Sequence, residues 1–182
     1  MKTTTYAKLS KFVGKPVNNL DYSVTEFTEG KIFEYATNKC IAYRTIQDNY
    51  TETKDVKIIN NLRGQIKNVS YPDLNRIFDT NFDNEGNCDD ISRLIKEFTI
   101  AKSMSEKDFN FMLNEEEFLF NTNTIKPVID FIKTLMNDKT EIEFNDNNLK
   151  LEYNSEIKPL RITFFCMNAL VVQLLFTPMR KR

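Results

Sequence analysis

Apolar residues recur at spacings of three and four in only three stretches of this 182-residue chain, and most of the rest forms short segments of strand character. That pattern constrains the chain to an α+β fold in which a few amphipathic helices pack on antiparallel sheets. Helices are expected at 6–14, 90–104 and 124–136. Leu9, Phe12 and Val13 form the first apolar stripe, which Gly14 and Pro16 close. Ile91, Leu94, Ile95 and Phe98 form the second, with Asp89 and Asp90 favourable at the positive end of the helix dipole. Ile125, Val128, Ile129, Ile132 and Leu135 form the third, behind a Thr124 cap and with Pro127 in the first turn. Strands are expected at 23–27, 31–35, 41–46, 56–59, 65–69, 109–113, 117–120, 141–144, 149–153, 161–165 and 170–176. Segments 141–144 and 149–153 read as a hairpin turned by Asp146, Asn147 and Asn148. With only 4 Gly, Asn takes much of the turn work. The polar stretch 81–89, with Gly86, is the expected linker between two similar halves, 1–80 and 90–182.

The residue inventory removes whole classes of chemistry. There is no histidine, so Ser–His and Cys–His catalysis and histidine-rich zinc sites are out of reach. Cys40, Cys88 and Cys166 are widely spaced and odd in number, which suits reduced packing thiols better than a disulfide framework. Neither a P-loop nor a Gly-x-Gly-x-x-Gly run is present to cradle phosphates. The adjacent acids Glu115 to Glu117 and Asp89–Asp90 read as solvated faces or helix starts, not as metal ligands. No catalytic residue, metal or cofactor is therefore expected, and the chain does not read as an enzyme. The longest apolar stretch, 169–176, is far short of the roughly 20 residues that span a bilayer. The N-terminus has no signal-peptide run, so the expectation is a cytoplasmic protein without membrane contact.

Charge is nearly balanced, at −1 with a pI of about 5.7, so any polyanion must be held by a local patch. Lys8, Lys11 and Lys15 recur along the first helix, Arg93 and Lys96 on the second, and Lys126 and Lys133 two turns apart on the third. The carboxylates are expected to gather elsewhere, at 115–117, 83–85 and in the strands after 140. One reading is plain solvated helix surface. The other is a row of cations aimed at a phosphate backbone, with sequence-independent, salt-sensitive binding.

A set of segments then carries a resemblance. Asn121-Thr-Asn-Thr-Ile-Lys-Pro-Val-Ile-Asp-Phe-Ile-Lys-Thr-Leu precedes the expected hairpin, followed by Lys158-Pro-Leu-Arg-Ile-Thr and by a final strand running into Pro178-Met179-Arg180. This run resembles the closing half-domain of the bacterial DNA sliding clamp, the beta subunit of the replicative polymerase. Tyr35-Ala36-Thr37-Asn38 with Ile41-Ala42 is similar to the clamp's Ala-Thr-Asp-Gly strand-turn. Tyr71 to Ile77 is similar to its aromatic-Pro-Asp-aromatic-x-Arg-Val segment, although Leu74 replaces the second aromatic. Asn38-Lys39-Cys40 also departs from the usual Asp-Gly-His-Arg, and the chain is far shorter than a bacterial clamp. It resembles a minimal, divergent member of the kind a phage or mobile element encodes.

The resemblance implies a non-enzymatic processivity protein, a homo-oligomeric ring whose basic helices line a hole filled by double-stranded DNA. Lys8, Lys11, Lys15, Arg93, Lys96, Lys126 and Lys133 would face the duplex. It further implies a greasy pocket for short peptides of DNA polymerase or other replication proteins, to which Thr37, Ile41, Pro178, Met179 and Arg180 would contribute. Gln173-Leu174-Leu175-Phe176 resembles such a peptide but reads as a core strand. The alternative is a clamp-fold interaction module that binds or inhibits host replication proteins without encircling DNA. A carboxylate-dependent nuclease ranks third.

Overall fold

Period-two alternation builds most of the molecule. The computed structural model describes residues 12, 22–28, 30–48, 56–61, 64–65, 71–137, 143–166 and 169–180. The strands are β1 (Tyr22–Thr28), β2 (Lys31–Thr37), β3 (Ile41–Asp48), β4 (Val56–Asn61), β5 (Gly64–Gln65), β6 (Asn84–Gly86), β7 (Asp108–Leu113), β8 (Glu116–Asn121), β9 (Leu149–Tyr153), β10 (Leu160–Phe165) and β11 (Val171–Phe176). Nine of them form one sheet in the order β5-β4-β1-β2-β3-β11-β10-β9-β6, and every pairing is antiparallel. β7 and β8 form a separate hairpin. Its turn residues Asn114 (φ 47°) and Glu115 (φ 71°) are both left-handed, the conformation that two-residue hairpin turns demand and that Asn adopts cheaply.

The helices are α1 (Asn75–Phe78), α2 (Cys88–Ser103) and α3 (Thr122–Asn137). A reciprocal capping box starts α2: the Asn87 side chain accepts from the Asp90 amide at 3.0 Å, and Asp90 accepts from the Asn87 amide at 2.9 Å. The Asn121 side chain accepts from the Thr124 amide at 3.1 Å, so α3 starts two residues before the expected Thr124 cap. Pro127 therefore lies a little deeper than expected; Asn123, whose carbonyl it cannot serve, is exposed.

One face of the sheet carries Ala36, Ile41, Tyr43, Leu151, Ile162, Phe164, Val172, Leu174 and Phe176, all buried. Against it pack the apolar stripes of α2 and α3 and the inward side chains of β7 and β8. Full burial of each such side chain contributes about 1.5–3 kcal/mol. Phe12 joins this core, edge-on to Tyr43 at 5.6 Å and to Phe131 at 6.3 Å. The rest of the expected helix 6–14, with Lys8, Lys11 and Lys15, lies outside the described residues.

The opposite face is covered by residues 71–82. Leu74 and Phe78 pack on Val24, Tyr35, Ala42 and Leu175. Beside them Arg44 is buried, stacked 4.9 Å from the Phe78 ring centroid. Its guanidinium donates to Gln173 Oε1 at 2.9 Å, Asn75 Oδ1 at 3.1 Å and Asp79 Oδ1 at 2.6 Å. Arg161 makes a two-pronged pair with Glu152, both bonds 2.8 Å, and also donates to the Phe78 carbonyl. These two arginines fasten the crossing segment to the sheet, a task for which a planar five-donor group is suited.

Three expectations need correction. Residues 81–89 are not a plain linker: they contain β6, paired with β9, and the start of α2. The sheet is continuous through β3 and β11, so segments from both expected halves hydrogen-bond side by side. In the expected 141–153 hairpin, residues 141–142 fall outside the described residues, and Glu143 and Phe144 are not in a strand. β9 pairs instead with β10 on one edge and β6 on the other, and β6 takes Glu152 and Leu151, positions a hairpin arm would need. Of the expected strand 65–69, Gln65 is in β5 and the remainder lies outside the described residues.

Glu34 on β2 gives a pH-dependent expectation. Burial raises its carboxyl above the ordinary range, and the 3.0 Å bond from the Tyr43 hydroxyl offsets this only in part. A raised folded-state value contributes stability below the unfolded pKa and loses it as pH rises through the folded one. Glu34→Gln keeps the acceptor without the charge, so it is expected to raise Tm at pH 7. The gain should vanish near pH ~4, where Glu34 is itself protonated. Thermal melts at the two pH values check this; a gain that grows on acidification contradicts it.

Candidate peptide pocket and nucleic-acid face

The turn between β2 and β3 is held by its own side chains. Asn38 Oδ1 accepts from the amides of Cys40 and Ile41, each at 3.1 Å, and Lys39 adopts φ 85°. Thr37 Oγ1 donates to the Ile41 carbonyl at 2.8 Å and accepts from the Lys39 amide at 3.1 Å. The Thr37 amide in turn donates to the Tyr71 hydroxyl at 3.1 Å, and burial pushes that phenol up to about 12, so it stays neutral. After β11 the chain passes between this turn and β8. The Thr177 amide donates to the Cys40 carbonyl at 3.0 Å, and the Met179 amide to the Leu119 carbonyl at 2.8 Å.

These ties leave a cavity of about 270 Å³. Its apolar wall is Ile41, Phe120, Ile125, Phe176, Pro178 and Met179, with Lys39, Cys40, Asn121, Thr124 and Thr177 around them. Of the expected peptide residues, Ile41, Pro178 and Met179 line it. Thr37 does not; its hydroxyl is spent on shaping the turn. Arg180 lines a smaller adjoining cavity of about 210 Å³ with Glu117, Glu156, Ile157 and Met179. The sequence reading missed Phe120, Ile125 and Phe176 as lining. Their apolar periodicity marks them as core, and nothing in it says that one end of that core is open.

The described cations sit on α2 and α3 with less free charge than expected. Arg93 donates to Asp90 Oδ1 and to the Met112 carbonyl, both at 2.8 Å. Lys126 pairs with Asp130 one turn on. Lys133 donates to Thr99 Oγ1 at 3.1 Å, which brings the polar strip of α3 beside that of α2. Lys96 is exposed and makes no ion pair among the described residues. The expectation that carboxylates gather elsewhere is therefore corrected. Asp89, Asp90 and Asp130 lie on these helices, placed there by helix-start chemistry and by an i,i+4 pair.

Nucleophilic and metal chemistry find little support here. Burial, with Asp146 adding to it, pushes the Cys88 thiol up to about 12, far from a reactive thiolate. Among the described residues no group of three His, Cys, Asp or Glu side chains could hold a metal ion. Nor, among them, is any helix long and apolar enough to cross a membrane.

The sequence matches no protein-family model and no curated protein. Solved structures are another matter. The beta chain of DNA polymerase III from Streptococcus pneumoniae superposes with a TM-score of 0.69 at 10% identity, over 98% of this chain and 62% of that one. The Helicobacter pylori beta clamp bound to a DNA ligase peptide gives 0.66 at 10%, over 97% and 62%. The polymerase beta subunit of Streptococcus pyogenes gives 0.66 at 11%, over 98% and 64%. This is the fold of the bacterial beta clamp. The chain follows that fold along nearly its whole length while spanning less than two thirds of those clamps. With identity this low, the clamp likeness is one of backbone, kept by alternation and burial and not by particular side chains.

Proposed function

We propose that the chain is a cytoplasmic, clamp-type DNA-tethering subunit that assembles with copies of itself around duplex DNA and docks peptides of DNA polymerase or other replication proteins. The observation that carries this reading is the open apolar cavity beside Pro178 and Met179 on a clamp fold. An apolar, partly methionine-lined hollow suits short peptides whose anchors are large hydrophobic side chains. Lys8, Lys11, Lys15, Arg93, Lys96, Lys126 and Lys133 would supply phosphate contacts that position the duplex without reading bases, which lets a ring slide.

One observation favours the second reading, an interaction module that binds or inhibits host replication proteins without encircling DNA: Arg93 and Lys126 already have carboxylate partners. Two measurements separate the readings. A tethering ring must have the native mass of a closed oligomer at micromolar concentration. It should also co-elute with nicked circular duplex and be released when that circle is cut. A monomer that co-elutes with neither DNA form, yet binds replication-protein peptides, would establish the second reading instead.

A further inference from the structure

The cavity that Arg180 lines is continuous with the apolar pocket through a shared wall, Met179, whose amide is tied to the Leu119 carbonyl at 2.8 Å. At about 210 Å³ it is below the roughly 300–1,000 Å³ of small-molecule sites, so it suits one side chain better than a free ligand. Its lining is of two kinds. Ile157 and Met179 are apolar and unusually open, 53% and 39% exposed, and Glu117 and Glu156 bring two carboxylates against the single guanidinium of Arg180.

We propose that this cavity is a second subsite for a docked peptide, taking a lysine or arginine that flanks the segment held in the apolar pocket. The inference rests on the peptide-docking reading above. A long cationic side chain carries an aliphatic stem and a charged head, and the two parts match the two kinds of lining. The stem lies along Ile157 and Met179, and the head reaches Glu117 and Glu156. A metal ion is the poorer occupant, because two carboxylates beside a fixed guanidinium leave a hard cation short of oxygen ligands.

Two fluorescent peptides test this on the full chain: Gln-Leu-Leu-Phe flanked on both ends by arginine, and the same core flanked by alanine. The arginine peptide is expected to bind about five-fold tighter at low salt, the scale of exposed charge pairs. That advantage should shrink as salt rises. It should disappear in a Glu117→Gln/Glu156→Gln double variant. If the alanine peptide binds and the arginine peptide gains nothing over it, the subsite is wrong while the apolar pocket stands. A preference that survives in the double variant overturns the subsite as well. Failure of both peptides to bind overturns the pocket and the subsite together.

Discussion

Replacing Arg44 with alanine is expected to lower folding stability by about 3–5 kcal/mol, measured as the shift in a urea unfolding curve. The side chain is buried at the centre of the sheet, on β3 opposite Gln173 of β11. Its removal leaves Gln173 Oε1 and Asn75 Oδ1 without their donor and opens a void beside Phe33 and Phe78. Each orphaned buried polar group costs about 1–3 kcal/mol, and the void adds to that. Asp79→Ala should cost far less. That carboxylate is 62% exposed, and without it Arg44 keeps its Gln173 and Asn75 partners. Comparable losses for the two variants would mean that the ion pair, not the buried network, fastens residues 71–82.

Charge reversal on the helices should have the largest effect on DNA. In a Lys96→Glu/Lys126→Glu/Lys133→Glu variant, three cations that would neutralise phosphates become three repelling carboxylates. Each lost phosphate contact reduces the salt slope of log K by about 0.9, so the slope should flatten by nearly 3. At low salt the affinity for duplex should fall on the order of a hundred-fold or more. The cost to folding is small: the Lys126–Asp130 pair is an exposed i,i+4 contact, and such pairs contribute about 0.2–0.5 kcal/mol. A melt on the same sample confirms that the variant is folded. Duplex affinity within two-fold of the parent would take α2 and α3 out of any DNA-facing role.

Both expectations depend on features that the sequence reveals unequally. Helices α2 and α3 are legible because their apolar residues repeat at the helical period over four turns, a signal that is local and redundant. Most strands are legible for the same reason, down to β9, whose expected and observed bounds coincide. The short elements are not. α1 has four residues and β6 three, too few for a period, and both exist because of partners distant in the chain. β6 is held by β9, and the segment carrying α1 by Arg44 and Arg161.

The candidate site divides in the same way. Ile41, Pro178 and Met179 could be named from a motif in the chain, whereas Phe120, Ile125 and Phe176 could be recognised only as apolar. Whether an apolar side chain closes a core or lines an opening depends on what packs next to it. Here that is set by the tail crossing from the Cys40 carbonyl to the Leu119 carbonyl. Composition alone, through the missing histidines and the near-zero charge, limits the chemistry the chain can perform. Periodicity alone assigns most helices and strands, since both are properties of neighbouring residues. Strand order, the buried arginine network, the neutralising aspartates and the paired cavities come from contacts between residues far apart in the chain, and those only the folded structure decides.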